Sequence, residues 1–339
     1  MKKTVFLGAL TVAALTAGVA SAATLDDVKA RGSLNCGVTT GLVGFAAPDA
    51  NGVWEGFDVG ICRAVAAAVF GDPTAVEFVP TTGKTRFTAL ASGEIDLLAR
   101  NTTWTMSRDV DLAFEFVGVN YYDGQGFMVP KDLGVSSAKD LDGATVCIQT
   151  GTTTELNLAD FFRTNGISYE PVPIETNAEA QQQYLAGACD VYTTDASGLA
   201  ATRATFEAPG DHVLLPEIIS KEPLGPLVRH GDNEWGDIAR WTLNALVTAE
   251  ELGITSANIA ELSAAPTNNP EVNRILGTEG NLGEQLGLSA DWAKNAIAAG
   301  GNYGELFEQN IGESTPIGLA RGLNAMWTEG GLIYSPPFR

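Results

Sequence analysis

The segment from Ala99 to Asp109 (ARNTTWTMSRD) concentrates several hydroxyls and two arginines directly after a short apolar run. Burying an anion is unfavourable unless a charged partner and several hydrogen bonds replace the lost water. A guanidinium can bind a carboxylate through two parallel hydrogen bonds, and threonine hydroxyls can add further ones. We therefore select Arg108 and Thr103 as candidate carboxylate-binding residues. A surface arginine paired with a neighbouring aspartate is the alternative.

A second polar segment runs from Gln149 to Asn157 (QTGTTTELN), where a strand pattern gives way through Gly151 to three threonines and a helix pattern. Free N–H groups at a helix start favour anions. The segment therefore predicts a second anion contact. A simple threonine cap with Glu155 as its capping partner is the alternative.

A third segment, from Cys189 to Gly198 (CDVYTTDASG), places Asp195 just beyond a predicted strand. A carboxylate at the end of a strand can face a cleft and hold an ammonium group. The alternative is that Asp195 caps a helix beginning near Ser197.

An aromatic residue, Phe87, starts a predicted helix beside Arg86. Its ring could lie over the aliphatic part of a ligand, although a role in the core is the alternative. Catalytic patterns are poor, because neither His212 nor His230 lies in a motif, and the sequence has no GxSxG, no phosphate loop and no metal-ligand spacing. We expect no catalytic residue, no metal and no cofactor.

Short apolar strands alternate with helical patterns along much of the chain, which predicts βαβ units and a parallel sheet. The helix pattern within GFDVGICRAVAAAVFG, for example, starts near Asp58, which we expect to cap it, and ends at Gly71. The three polar segments all follow predicted strands, and ligand sites of open α/β sheets gather at the carboxyl ends of strands.

The N-terminus has the pattern of a secretory signal peptide over residues 1–22. Lys2 and Lys3 precede an apolar stretch, and Ala20-Ser21-Ala22 forms a small-x-small cleavage site. An anchoring helix is the alternative, but the apolar run is short for a membrane span. Because the next cysteine is Cys36, nothing marks a lipid-modified N-terminus, and we expect a soluble, exported, periplasmic protein.

The composition limits which partners the protein can bind. The formal net charge is −21, so the protein should repel nucleic acid and anionic membranes. In an oxidising compartment, four cysteines suggest two disulfides, with three possible connectivities. We favour Cys36–Cys62 and Cys147–Cys189, because each pair then lies within one predicted lobe. Free buried thiols are the alternative.

The chain is longer than one typical domain, which favours two lobes. Extended segments at Phe127–Pro130 and Leu224–Arg229 are the candidate connections. The expected division gives a discontinuous first lobe, residues 23–126 and 231–339 with a C-terminal extension. Residues 127–230 then form the second lobe, with hinge strands at its borders.

Together these motifs resemble the amino-acid receptors of ABC transporters, extracellular solute-binding family 3, and its polar or general L-amino-acid branch (glutamate, glutamine, aspartate, asparagine). The matching stretches cover nearly all of the mature chain in order. Examples are NGVWEGFDVGICRAVAAAVFG, KTRFTALASGEIDLLARNTTWTMSRD, DLDGATVCIQTGTTTELNLADFF and GACDVYTTDASGLAATR. The resemblance implies an α/β, two-lobed periplasmic-binding-protein fold, each lobe a mostly parallel sheet flanked by helices, joined by a two-strand hinge. The cysteine positions of this branch also agree with all four cysteines here.

The resemblance also implies roles for single residues. Arg108 matches the arginine that grips the α-carboxylate of the ligand, and Asn101 and Thr103 match small polar residues that hold the same ligand. Thr153 matches a threonine that contributes from the second lobe, and Asp195 matches the aspartate that binds the α-ammonium.

Three further positions bear on the side chain of the ligand. Phe87 matches the aromatic position of the family, and Arg86 and Arg100 are candidates to pair with an acidic or amide side chain. Receptors for basic amino acids carry an acid where this chain has Thr39 and Thr40, which disfavours lysine or arginine as the ligand.

The expected function is therefore capture of a small-molecule L-amino acid by a periplasmic, monomeric receptor that closes around it and delivers it to membrane permease subunits of an ABC transporter. An exported cyclohexadienyl or prephenate dehydratase on the same fold is the alternative, and Glu155 is its only obvious candidate for proton transfer. A sensor domain is a third possibility, although no output domain follows Arg339.

Overall fold

The computed structural model describes residues 23–339, so the predicted signal peptide lies outside the described residues. Within this range the α-helices are α1 Thr24–Arg31, α2 Phe57–Phe70, α3 Arg86–Ser92, α4 Thr153–Asn165, α5 Asn177–Leu185, α6 Ala196–Ala204, α7 Asn233–Glu251, α8 Ile259–Leu262, α9 Pro270–Ile275, α10 Leu282–Gln285, α11 Trp292–Ala298 and α12 Tyr303–Asn310.

The strands are β1 Leu34–Thr39, β2 Ala47–Pro48, β3 Trp54–Glu55, β4 Val76–Thr81, β5 Leu97–Leu98, β6 Phe114–Phe116, β7 Tyr121–Asp123, β8 Gln125–Pro130, β9 Ala144–Gln149, β10 Tyr169–Ile174, β11 Val191–Asp195, β12 His212–Leu214, β13 Glu222–Leu224 and β14 Leu227–Arg229. A π-helical turn, Ser107–Asp111, includes the end of the Ala99–Asp109 segment, with Arg108 in it.

Two five-stranded sheets form the cores of two lobes. The order is β4-β1-β5-β14-β6 in the first lobe and β10-β9-β11-β8-β12 in the second. Three strands at one side of each sheet run parallel, and the remaining two are antiparallel to their neighbours. The expected α/β architecture, with mostly parallel sheets flanked by helices, is confirmed.

The predicted cysteine pairs are both present as disulfides. Cys36–Cys62 ties β1 to α2, and Cys147–Cys189 ties β9 to the loop before β11. Each bridge therefore links a central strand to an element packed beside it in the same lobe.

The lobes are connected by a separate two-stranded ribbon, in which β7 pairs antiparallel with β13. Of the two predicted connections, Phe127–Pro130 belongs to β8 inside the second sheet. Leu224–Arg229 begins at the last residue of β13 and continues into β14 of the first sheet. The division into residues 23–126 with 231–339 and residues 127–230 stays a prediction.

The expected role of Asp58 as a helix cap is wrong. Helix α2 begins at Phe57, and Gly56 occupies the N-cap position with φ 130°. A Cβ at Gly56 would lie 2.3 Å from the carbonyl oxygen of Phe45, so this close approach excludes a side chain. Asp58 instead lies inside the first turn, 3% exposed, where Asn120 donates a hydrogen bond to it.

The C-terminal third packs on the first lobe. Helices α7 and α11 contact α2, and α12 contacts both α2 and α7. The end of the chain is anchored by Phe338, whose ring meets those of Trp241 and Trp292. Among the described residues, no helix is both long enough and apolar enough to cross a membrane.

Candidate functional site

A polar cavity lies between the two lobes, at the carboxyl ends of their central strands. Both lobes contribute to its wall, which is rich in hydroxyl, amide and charged groups. Its lining residues are Thr39, Leu42, Arg86, Arg100, Asn101, Thr103, Gln149, Thr152, Thr153, Thr154, Asn177, Tyr192, Thr194, Asp195 and Gly198. A wall of this chemistry suits a small polar molecule.

The lobes are closed against each other around this cavity. Lys84 of the first lobe forms a 2.8 Å ion pair with Glu175 of the second. Asn177 Nδ2 donates across the cleft to the carbonyl oxygen of Gly41 at 3.2 Å. At a third point, the backbones of Gly83 and Gly151 meet so closely that a Cβ on Gly83 would lie 2.5 Å from the carbonyl oxygen of Thr150.

The first lobe presents two buried guanidinium groups to the cavity, those of Arg86 and Arg100. Arg100 donates through Nε to the carbonyl oxygen of Thr81, and Arg86 donates through Nη1 to Thr102 Oγ1. Within residues 23–339 neither forms an ion pair within 4.0 Å, and Arg86 Nε has no hydrogen-bond partner.

Burial destabilises both of these cations. It lowers the pKa of Arg86 well below its usual value, with further lowering by Arg100 and Arg108, and it lowers the pKa of Arg100 to about 10. An anion in the cavity would offset this desolvation, so the first lobe is built to receive negative charge.

Arg108 and Phe87, which the sequence analysis also selected, are not among the residues that line the cavity. Arg108 donates through Nη1 to the carbonyl oxygen of Thr103 at 2.8 Å, and its guanidinium lies 5.2 Å from the centre of the Phe87 ring. The same ring lies 4.8 Å from the Arg86 guanidinium and stacks on Phe114. The Phe87 ring therefore contacts both guanidinium groups and also packs against Phe114 of the core.

The second lobe presents the carboxylate of Asp195 at the end of β11. Asp195 occupies the N-cap position of α6, yet its side chain makes no capping hydrogen bond. The capping interpretation is thus not supported by the local geometry. Burial raises the pKa of Asp195 well above its usual value, and the nearby carboxylates of Asp123 and Glu222 raise it further. A cation beside Asp195 would reverse this effect.

Asn101 is held in a rare backbone conformation at the edge of the cavity. Its φ is +32°, in the left-handed region, which costs free energy for a residue other than glycine. Its side-chain oxygen is buried and has no hydrogen-bond partner in the described chain. Asn101 lines the cavity, and a strained residue there with an unsatisfied buried acceptor is consistent with a ligand contact.

Helix α4 points its N-terminus at the cavity, and Thr152, Thr153 and Thr154 form part of the wall. The first N–H groups of an α-helix have no partner within the helix, so they favour an anion. Glu155 does not face the cavity, because it accepts a 2.7 Å hydrogen bond from the backbone N–H of Gly151.

Sequence reasoning missed two acids near the site, the half-buried Asp123 and the buried Glu222, which face each other in the β7–β13 ribbon. Asp123 accepts hydrogen bonds from Gly124 N and from Ser197. Burial raises the pKa of Asp123 to about 6. Strands of three residues are too short to show a hydrophobic periodicity. The charged Glu222 just before the apolar stretch Leu224–Arg229 was the one available signal of a buried acid.

Several lining residues were also missed, namely Leu42, Gln149, Asn177, Tyr192, Thr194 and Gly198. Gln149 and Thr194 lie at the carboxyl ends of β9 and β11. The strand-end rule that selected Asp195 could have found both of them. Asn177 and Gly198 lie in the first turns of α5 and α6, where no residue type marks them.

Comparison with known proteins places the chain among transport receptors. Residues 34–257 match the model of the bacterial extracellular solute-binding proteins, family 3. The glutamate/glutamine/aspartate/asparagine-binding protein BztA of Rhodobacter capsulatus is 69% identical, with 100% of both chains covered. The general L-amino acid-binding periplasmic protein AapJ of Rhizobium johnstonii is 59% identical over 97% of this chain and 96% of that protein.

Among solved structures, a periplasmic binding protein of an ABC transporter from Brucella ovis, with glutathione bound, superposes with a TM-score of 0.91. It is 56% identical and covers 94% of this chain and 100% of its own. This match confirms the two-lobed periplasmic-binding-protein fold. With the family model matching most of the chain and two relatives aligned over nearly all of it, the protein belongs to family 3 of the bacterial extracellular solute-binding proteins.

Proposed function

We propose that the protein binds an L-amino acid between its lobes in the periplasm and delivers it to the permease of an ABC transporter. One observation carries this proposal. On one lobe, the cavity has guanidinium groups without ion-pair partners. On the other lobe, it has the carboxylate of Asp195, which makes no capping hydrogen bond to α6. This charge pattern complements a zwitterion, and only the closed arrangement brings both charges to one ligand.

Arg108 is the proposed partner of the α-carboxylate, as the family resemblance implies. Apart from the bond to Thr103 O, its guanidinium N–H groups make no hydrogen bond to the described residues and are available to an anion. Burial lowers its pKa, whereas Glu222 and Asp195 raise it. Asp195 is the proposed partner of the α-ammonium, with Asn101, Thr103 and Thr153 beside it.

Arg86 and Arg100 are the proposed partners of the ligand side chain. They are buried, they line the cavity and they have no carboxylate of the described chain within ion-pair distance. An acidic or amide group would satisfy them, and a basic side chain would be repelled. BztA, which is named for glutamate, glutamine, aspartate and asparagine, supports this preference, whereas AapJ is named for L-amino acids in general.

A dehydratase activity has little support. Glu155, its candidate for proton transfer, is not among the residues that line the cavity and accepts a hydrogen bond from the backbone N–H of Gly151. The relatives are named as binding proteins. We therefore propose that the protein is not an enzyme, that it acts as a soluble monomer, and that it needs no cofactor.

The test is calorimetric titration of the purified protein with each of the twenty L-amino acids and with prephenate. We expect micromolar or tighter binding of glutamate, glutamine, aspartate or asparagine, no binding of lysine or arginine, and no turnover of prephenate. Delivery is tested with the reconstituted permease, whose ATP hydrolysis should rise only with the amino-acid-loaded protein. Absence of binding to all twenty amino acids would refute the proposal.

A further inference from the structure

The carboxylate of Glu222 lies at the meeting point of the two lobes and the ribbon that joins them. Glu222 is 2% exposed. Its Oε2 accepts hydrogen bonds from Thr103 Oγ1 and, at 2.9 Å, from Thr153 Oγ1. Its Oε1 accepts from Asn157 Nδ2 at 2.7 Å and from Ser220 Oγ at 2.6 Å. Four donors therefore surround one buried acid.

These donors come from different parts of the fold. Thr103 follows β5 of the first lobe and bridges to Leu224 of the ribbon. Thr153 and Asn157 lie on α4 of the second lobe. Glu222 itself is the first residue of β13. One side chain thus holds both lobes to the ribbon in the closed arrangement.

The hydrogen bonds to Glu222 determine which hydrogen-bonding groups remain for the ligand. Within the described chain, no lysine, arginine or histidine lies within ion-pair distance of Glu222, and its four hydrogen bonds all come from neutral donors. A threonine hydroxyl has one proton to donate and two lone pairs. Thr103 and Thr153 give their protons to Glu222, so only their lone pairs are left for the cavity that both residues line.

A wall of lone pairs attracts a donor and repels an anion. The buried Oδ1 of Asn101, which has no partner in residues 23–339, and the carboxylate of Asp195 line the same cavity and are also acceptors. This arrangement differs from the expectation that the Thr103 hydroxyl donates to the ligand carboxylate.

We propose that Glu222 is a positioning residue that fixes the hydroxyls of Thr103 and Thr153 as acceptors, so that the cavity selects ligands with a cationic amine. The inference rests on the proposed function, because it assigns the amine end of the same ligand. Glu222 acts through the two threonines and does not itself touch the ligand.

The experiment compares ligands that differ only in the amine. The affinities of L-glutamate and glutarate, and of L-glutamine and glutaramate, are measured by calorimetry for the unmodified protein and for Glu222→Gln. An amide can turn its NH₂ group toward the threonines and release their protons, so we expect the preference for the amine-bearing partner to fall at least about tenfold. A purely structural role would weaken both members of each pair equally and leave the ratio unchanged.

Two further variants separate orientation from folding and charge. Thr153→Val keeps the Glu222 carboxylate but removes a hydroxyl, and it should lower the same ratio, whereas Thr153→Ser should restore it. Asn157→Ala is the matched control, because Asn157 binds the other oxygen of Glu222 and does not line the cavity. Its ratio should stay within about twofold of the unmodified value.

The outcomes distinguish this inference from the proposed function. If the unmodified protein binds neither glutamate nor glutamine nor any other amino acid, the proposed function fails and the inference falls with it. If amino acids bind but the ratio is unchanged in both Glu222→Gln and Thr153→Val, the inference alone is refuted. Should Glu222→Gln fail to fold, the two Thr153 variants decide.

Discussion

The hydroxyl oxygens of Thr103 and Thr153 lie 3.4 Å apart, although the two residues belong to different lobes. The contact forms only where the loop after β5 meets the start of α4, and both residues line the cavity there. Closure of the lobes and completion of the site are therefore one structural event. A ligand that bridges the lobes stabilises the closed form by the contacts that only this form provides.

Replacement of Gly83 by alanine should weaken amino-acid binding by at least about tenfold, because its Cβ would lie 2.5 Å from the carbonyl oxygen of Thr150 across the cleft. The obstacle is backbone, which cannot rotate away, so full closure is blocked. Calorimetry measures the affinity, and small-angle X-ray scattering with saturating ligand should show a larger radius of gyration. The melting temperature without ligand should be unchanged.

Gly210→Ala is the control for this variant. A Cβ at Gly210 meets no heavy atom within 4 Å, and the residue is remote from the cavity. Equal affinities for the two alanine variants would contradict the idea that the Gly83–Gly151 approach limits closure.

Arg108→Ala should weaken binding of every amino acid by at least about tenfold, because the α-carboxylate is common to all of them. Affinities for glutamate, glutamine and alanine, measured by calorimetry, should fall together. Arg163→Ala, at an exposed arginine paired only with Asp160, is the control. An unchanged affinity in Arg108→Ala would show that Arg108 does not hold the carboxylate, in agreement with its position outside the cavity lining.

Arg100→Ala should instead change specificity. Arg100 lines the cavity and is proposed to contact the ligand side chain. Its loss should therefore weaken the binding of glutamate and aspartate by at least about tenfold, and the binding of alanine much less. Competition of each amino acid against a labelled ligand gives these ratios. A uniform loss across all ligands would assign Arg100 to the shared backbone of the ligand.

The pH dependence of binding follows from Asp195. Its pKa is raised by burial first and then by Asp123 and Glu222, so in the free protein it holds its proton to a higher pH than an exposed aspartate does. An α-ammonium needs the ionised form, so binding expels this proton, and affinity should fall as the pH drops through the raised pKa, by up to about tenfold per pH unit.

Calorimetry in two buffers of different ionisation enthalpy measures the released proton directly. Asp195→Asn should bind more weakly at neutral pH and lose the proton release. A protein whose binding releases no proton at any pH below neutrality would exclude a carboxylate of raised pKa at the amine end.

Much of the framework could be predicted from the sequence, since apolar strand patterns alternating with helix patterns indicated parallel sheets flanked by helices, and the pattern ending at Gly71 predicted α2. The disulfides followed from assigning each cysteine pair to one lobe. The ribbon was located only in part, because β7 and β13 have three residues each and combine polar and apolar side chains. Burial of Glu222 depends on four partners up to 119 residues away, so no local pattern encodes it.

The two disulfides should differ in their contribution to stability, because they close loops of different length. Cys36–Cys62 spans 26 residues and Cys147–Cys189 spans 42. Restriction of the unfolded chain predicts a loss of about 3.5 kcal/mol in the free energy of unfolding for the first pair replaced by serine, and about 4 kcal/mol for the second. Denaturant unfolding of the two double variants measures both values.

Because each bridge lies within one lobe and no cysteine lines the cavity, amino-acid affinity should persist wherever the variant remains folded. A large loss of affinity in a folded Cys147→Ser/Cys189→Ser protein would show that this bridge positions the end of β11, and with it Asp195.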